Sequence, residues 1–215
     1  MSVPHQPAAT ARPRTPREPG ELFGPRTALF AEVLAAGVYC TLASLPVITA
    51  PTAFAAACRL LREAADDGRP ATPGRYLAAL RAPGAGRSLR AGLALLALAT
   101  LLALDTALAG AGLPGAAVVR WVLAAVGAAA LLVGVRAAAD PAVADAGWRR
   151  ALSGAVSRSG EDRRGTAWLA AALCLTGVIA WMSPPLALLA PGALAFAVTA
   201  VEARAAVREE TAPQA

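Results

Sequence analysis

Residues 44–63 read SLPVITAPTAFAAACRLLRE, an apolar stretch with two prolines that turns into an arginine-containing amphipathic one. Pro46 and Pro51 each lack a backbone hydrogen-bond donor and disfavour helix in the residue before them. The stretch therefore predicts a non-helical break between a first apolar helix, about Thr27 to Pro46, and a second helix, Thr52 to Ala65. Both prolines are candidate functional positions for this reason.

The composition around this stretch is that of a membrane protein. Of the 215 residues, 57% are hydrophobic, and charged residues are segregated from apolar ones. Between Glu32 and Arg59 lie 26 residues without Asp, Glu or Arg, and between Arg164 and Glu202 lie 37. A helix needs about 20 apolar residues to cross the hydrocarbon core of a bilayer. We therefore predict an all-α, polytopic membrane protein with five or six membrane helices, whose first partner is the lipid bilayer.

Four of these helices are expected to pair into two hairpins. The first pair, Ala91 to Gly110 and Gly115 to Arg136, is joined by the short sequence AGLP, which leaves room only for a tight antiparallel turn. The second pair, Gly165 to Met182 and Leu186 to Val201, meets at the sequence Ser-Pro-Pro of residues 183–185. The predicted fold is thus a set of membrane hairpins.

Two shorter helices are predicted to lie in the membrane interface. The first, Gly74 to Ala82, has Thr72 as its N-cap and Pro73 at its first helical position. The second starts with Asp140 as its N-cap and is amphipathic. The residues expected to face the bilayer are Tyr76, Leu77 and Leu80 in the first helix and Ala144, Trp148, Leu152 and Ala155 in the second.

The chain divides into one domain and two tails. Residues 1–21 are rich in Arg and Pro, a composition that cannot form a packed core, so a disordered tail is expected there. Residues 22–208 are predicted to form a single helical membrane domain. Residues 209–215 are predicted to be a second disordered tail.

The distribution of arginine predicts the orientation of this domain. All 20 basic residues are Arg; the connection from Arg59 to Arg90 carries seven and that from Arg136 to Arg164 carries six. The hairpins at 106–119 and 182–187 carry none. By the positive-inside rule the two Arg-rich connections are cytoplasmic and the hairpins face outward. The prediction is a multi-pass protein of the cell membrane with a cytoplasmic C-terminus.

The side on which the N-terminus lies depends on the opening stretch. If residues 27–50 cross the membrane once, the arginines of the N-terminal tail lie outside, against the rule. If the chain turns back at 44–51, Arg59 lies about 12 Å from the turn at 1.5 Å per residue, a depth that requires a partner, a cavity or snorkelling. We favour the re-entrant hairpin, because one arginine can snorkel whereas the single crossing misplaces four. These four are Arg12, Arg14, Arg17 and Arg26.

Charges inside apolar helices are costly, which makes Glu32, Asp105, Arg120 and Arg59 candidate functional residues. Asp105 and Arg120 lie seven and a half residues on either side of the centre of the AGLP turn. Equal offsets in an antiparallel hairpin mean equal depth, so an ion pair between them is expected. Glu32 is expected to reach the interface, toward Arg59 or Arg62.

Five features follow one another along the chain: an apolar first helix that ends in the stretch 44–63, an Arg-rich link, a membrane hairpin, a second link with the sequence WRRALSGAV, and a closing hairpin. In this order they resemble the YesL family of small bacterial integral-membrane proteins over about Leu22 to Arg208. The likeness is most specific at Leu45-Pro46 and in the helix after Pro51. Because members of that family are often encoded beside carbohydrate ABC transporters, the resemblance implies an accessory role in sugar uptake.

The motifs restrict the possible functions. The sequence has neither G-x-x-x-x-G-K-[ST] nor H-E-x-x-H, and its one histidine, His5, lies in the N-terminal tail. Its arginines collect at the ends of apolar runs rather than in a nucleic acid-binding stripe. We therefore predict no cofactor, no metal and no nucleic acid partner.

Two function classes remain. The first is a non-catalytic membrane component, either an accessory or assembly partner of a transporter or a small permease. The second is an enzyme that acts on a lipid or lipid-linked phosphate at the cytoplasmic face. No base or nucleophile is evident for that enzyme, which favours the first class. The arginines that could hold its phosphate are Arg149, Arg150, Arg163 and Arg164.

Overall fold

The protein, described here by a computed structural model covering residues 25–110 and 115–211, is all-α, and those ranges contain no strand. The all-α part of the predicted fold class is therefore confirmed. The helices are α1 (Pro25–Ala43), α2 (Ala50–Asp67), α3 (Pro73–Arg81), α4 (Ala85–Ala109), α5 (Ala116–Ala139), α6 (Ala142–Asp145), α7 (Trp148–Glu161), α8 (Arg163–Met182), α9 (Pro184–Ala187) and α10 (Ala190–Thr211).

Three helices are long and apolar enough to cross a membrane by their length and composition: α4 over Ala85–Leu108, α5 and α8. A shorter apolar segment, Thr27–Ala43, lies in α1. The expected crossing from Leu186 to Val201 is interrupted, because α9 ends at Ala187 and α10 begins only at Ala190. The predicted number of five or six crossings stays a prediction.

The break predicted around Pro46 is confirmed. The first helix ends at Ala43, a 3-10 turn covers Val47–Thr49, and α2 begins at Ala50. The hydroxyl of Thr49 donates to the carbonyl oxygens of Ala43 and Pro46 and so closes the turn. Pro51 belongs to the first turn of α2, where its missing N–H would have no helical partner in any case.

This turn packs against α4 close to where α4 begins. A Cβ built on Gly92 would lie 1.8 Å from the carbonyl oxygen of Ile48, so the two backbones are in direct contact. Gly92 is seven residues from Ala85 and 17 from Ala109, about 10 Å and 26 Å at 1.5 Å per residue. The turn between α1 and α2 therefore lies in the half of α4 nearest its first residue.

We call the end of the molecule formed by the connections 68–84 and 140–162 the Arg-rich end. The guanidinium of Arg87, in the first turn of α4, joins that helix to the second connection by donating to the carbonyl oxygens of Ala144 and Asp145 at 3.2 and 3.4 Å. The core of the protein is near this end. In the described part of the chain, the buried residues of the three long apolar helices all lie near this end. They are Gly92 in α4, Val135–Ala139 in α5, and Gly165 and Leu169 in α8.

The first short helix, α3, faces inward more than predicted. Tyr76 is buried, its hydroxyl donates to the carbonyl oxygen of Ala53 at 3.0 Å, and its ring lies 5.6 Å from that of Tyr39. A buried tyrosine hydroxyl needs a hydrogen-bond partner, and the protein supplies one here. Leu77 is exposed as expected, whereas Leu80 packs partly against the core.

The second predicted interfacial helix is divided into α6 and α7. Asp140 acts as predicted, since its carboxylate accepts a hydrogen bond from the N–H of Ala142 at 2.8 Å. The predicted face is only partly right, because Leu152 is exposed as expected whereas Ala155, also assigned to the bilayer, is buried. The small alanine side chains allow α7 to lie close to the end of α5.

The two predicted tails are largely outside the described residues. Residues 1–21 and 212–215 are not described, so the predicted N-terminal disorder stays a prediction. The last helix, α10, continues to Thr211 and therefore includes residues 209–211, which were assigned to the C-terminal tail.

Candidate functional site

The most unusual side chain of the core is Arg136, which is completely buried. It lies in the last turn of α5, where Val135–Ala139 pack among the other helices of the Arg-rich end. A buried guanidinium has to be paired and hydrogen-bonded, because an isolated charge in the protein interior is very costly. Its partners therefore identify which helices the site joins.

Four side chains accept hydrogen bonds from Arg136. The Nε atom donates to Oε1 of Glu202 in α10 at 3.0 Å, and Nη2 donates to Oδ2 of Asp162, before α8, at 3.3 Å. The Nη1 atom donates to the hydroxyls of Thr166 at 3.0 Å and Ser159 at 3.3 Å. One guanidinium thus joins α5 to α7, α8 and α10.

A second arginine extends this cluster. Arg158 forms ion pairs with Oε2 of Glu202 at 3.3 Å and with Oδ2 of Asp140 at 2.8 Å. Glu202 therefore bridges two guanidiniums, one through each carboxylate oxygen. We refer to Arg136, Arg158, Asp140, Asp162 and Glu202 as the ion network.

Two of the three carboxylates of the ion network also cap helices. Asp162 accepts a hydrogen bond from the N–H of Gly165 at 3.0 Å at the start of α8, and Asp140 does the same for α6. A Cβ on Gly165 would lie 1.9 Å from Oδ2 of Asp162, the atom that contacts Arg136. Glycine at this position allows Asp162 to cap the helix and pair with Arg136 at once.

The contacts of the ion network indicate a structural role, which is to hold helices together. Its two guanidiniums are directed at carboxylates and hydroxyls of their own chain. Within residues 25–110 and 115–211, no group of three His, Cys, Asp or Glu side chains could hold a metal ion. The arrangement fixes the ends of four helices relative to each other.

The predicted Asp105–Arg120 ion pair is wrong, because the ion pairs between described residues do not include it. A contact between the two helices also departs from the assumed symmetry. The Cδ1 atom of Leu102 lies 3.5 Å from the position of a Cβ on Gly127. Equal offsets about the turn would pair Leu102 with Leu123 instead, so this contact does not follow the symmetry on which the predicted ion pair was based.

Glu32 has a different partner from the two arginines that were considered. Its carboxylate accepts a hydrogen bond from the backbone N–H of Ala71, which joins α1 to the connection between α2 and α3. Arg59 instead pairs with Glu63 one turn along its own helix, at 2.9 Å, and Arg75 pairs with the same carboxylate. Partial burial by itself raises the pKa of Glu63, but the two arginines outweigh it and hold that pKa below its usual value.

Sequence reasoning missed all five residues of the ion network as a site. Arg136, Arg158 and the carboxylates lie at the ends of apolar runs, where charges normally meet water. The one available signal was Glu202, a carboxylate that ends the longest uncharged run of the chain beside an arginine-rich face.

Comparison of the chain with protein-family models, with curated proteins and with solved structures found no match. Its function is therefore inferred from its own residues and their arrangement.

Proposed function

We propose that this chain is a non-catalytic, multi-pass protein of the cell membrane that assembles with another membrane protein. A carbohydrate transporter is the partner that the resemblance to the YesL family implies. The observation that carries the proposal is how little of the three long apolar helices is covered by the rest of the chain.

In the most apolar 18-residue window of each helix, only 6% of the residues are buried in α4, 6% in α5 and 11% in α8. All three helices extend away from a core that lies at the Arg-rich end. Helices of this composition are insoluble in water unless lipid or other apolar helices surround them. Lipid covers part of this surface, and a partner's helices are proposed to cover the rest.

The side of α5 that faces away from α4 suits a helix partner. Val118, Val122, Ala125 and Ala129 follow one another at helical spacing and are all exposed. The small alanine side chains allow a second helix to approach closely, which is the main source of attraction between helices inside a bilayer.

Photo-cross-linking tests this surface directly. A photoreactive amino acid at Val122, Ala125 or Ala129 should give a discrete protein adduct in native membranes, identified by mass spectrometry as a transporter subunit. The matched control is Ser153, which is also exposed but lies on α7 at the Arg-rich end. If the three α5 positions give no protein adduct, or the same adducts as Ser153, the proposed assembly through α5 is wrong.

The orientation that we propose places the Arg-rich end and the C-terminus in the cytoplasm, following the positive-inside rule. The turn between α1 and α2 contacts Gly92, about 10 Å from the start of α4, rather than the far end of that helix. Glu32 of α1 accepts a hydrogen bond from the N–H of Ala71, in the connection that follows α2, so both ends of the α1–α2 hairpin point toward the Arg-rich end. This supports a re-entrant hairpin with a cytoplasmic N-terminus.

Single-cysteine labelling in intact cells tests the orientation, after the native Cys40, Cys58 and Cys174 have been replaced by alanine. An impermeant thiol reagent should label a cysteine at Leu113 in intact cells. A cysteine at Ala9 should react only after the cells have been lysed, as should one at Arg69. Labelling of Ala9 in intact cells would refute the re-entrant hairpin alone, whereas protection of Leu113 together with labelling of Arg69 would invert the whole orientation.

A further inference from the structure

Four arginines at the Arg-rich end are exposed and are absent from the ion pairs between described residues. We call them the basic surface: Arg149 and Arg150 in α7, and Arg163 and Arg164 at the start of α8. The neighbouring Arg136 and Arg158, by contrast, are paired within the ion network. The basic surface therefore carries four guanidiniums whose charge no carboxylate of the described chain neutralises by direct contact.

The first turns of α8 place two of these arginines at a membrane boundary. Arg164 and Trp168 are four residues apart, and Leu175 follows seven residues later, so all three share one face of the helix. This face is open, since Trp168 is 71% and Leu175 is 61% exposed. Tryptophan prefers the boundary between headgroups and acyl chains, which places Arg164 one turn further out, among the headgroups.

The exposed side of α7 has a related arrangement. Leu152 and Val156 are exposed, and Arg149 lies one turn before Leu152 on the same side of the helix. Apolar side chains beside an arginine are typical of a helix that lies along a bilayer, with leucine and valine at the acyl boundary and the guanidinium beside phosphate.

We propose that the basic surface binds the headgroup phosphates of anionic phospholipids in the cytoplasmic leaflet. Guanidinium groups form paired hydrogen bonds with phosphate oxygens, and clusters of arginine on the cytoplasmic side of a membrane helix are attracted to anionic lipid. The proposal rests on the membrane insertion and orientation proposed above. It adds the lipid class to which this end of the protein is anchored.

The experiment uses the full chain in mixed micelles and records its melting temperature as phosphatidylglycerol is added, with phosphatidylcholine as the neutral lipid. Phosphatidylglycerol should raise the melting temperature of the wild type and phosphatidylcholine should not. In the double variants Arg149→Gln/Arg150→Gln and Arg163→Gln/Arg164→Gln, the phosphatidylglycerol fraction needed for half of the rise should increase about tenfold.

The matched control is the double variant Arg59→Gln/Arg69→Gln. It removes the same charge from two exposed arginines, which are engaged by Glu63 and Asp67. This control should respond to phosphatidylglycerol like the wild type.

Three results would overturn the proposal: an equal rise with phosphatidylcholine, an equal loss of response in the control, or an equal rise with inorganic phosphate alone, which would indicate a site for soluble anions. None of these results bears on cysteine labelling, so the orientation can stand if the lipid proposal fails.

Discussion

Replacement of Arg136 by alanine is expected to lower the free energy of unfolding by about 3–5 kcal/mol, the usual cost of removing one partner from a buried ion pair. The substitution removes a counter-charge from the partly buried carboxylates of Glu202 and Asp162, whose side chains are only 18% and 24% exposed. It also deprives the hydroxyls of Ser159 and Thr166 of a donor. The expected loss is large because one side chain holds four helices.

The measurement is the melting temperature of the purified protein in detergent. A loss of about 3–5 kcal/mol should lower it by roughly 6 to 20 °C in a chain of this size. The matched control is Arg150→Ala, which removes the same side chain from an exposed position on α7. If the two variants melt at the same temperature, Arg136 does not hold the helices together.

A double substitution separates the loss of the Arg136–Glu202 ion pair from the loss of packing. When both partners of a buried ion pair are replaced by apolar residues, much of the stability usually returns, because no charge is left without a partner. Arg136→Met with Glu202→Met should therefore melt higher than Arg136→Met alone. A double variant less stable than the single one would show that Glu202 acts mainly through Arg158.

The elements of the fold could be predicted because they follow from local patterns. Two prolines within six residues end α1 and leave only a 3-10 turn before α2, whatever the rest of the chain does. Asp140 caps its helix through a contact two residues away. Such contacts join residues that are close together in the sequence, so the sequence alone is sufficient to predict them.

The ion network could not be predicted because its contacts are distant in sequence. Arg136 and Glu202 are 66 residues apart and lie on helices whose relative rotation no periodicity specifies. The same limitation explains the wrong pairing of Asp105 with Arg120. Their pairing was inferred from symmetry about the turn, whereas the contact of Leu102 with Gly127 does not follow that symmetry.

Substitution of Gly92 by alanine is expected to destabilise the protein by about 3 kcal/mol, the upper part of the range for overpacking. The added Cβ would lie 1.8 Å from the carbonyl oxygen of Ile48 and 2.6 Å from its carbon. Both atoms belong to the backbone of a turn that is held by the hydroxyl of Thr49, so no side chain can simply rotate away. Helix α4 and the turn would have to move apart.

The matched controls are Gly86→Ala in the same helix and Gly177→Ala in α8, where an added Cβ has no neighbour within 4 Å. Alanine favours helix over glycine by up to about 1 kcal/mol, so these two variants should melt no lower than the wild type. Gly92→Ala should melt roughly 6 to 12 °C lower. If the Gly92→Ala variant melts at the same temperature as the controls, the turn does not contact the first residues of α4. The α1–α2 hairpin would then be free to reach the far side of the membrane, and the structural support for a re-entrant hairpin rather than two full crossings would be lost.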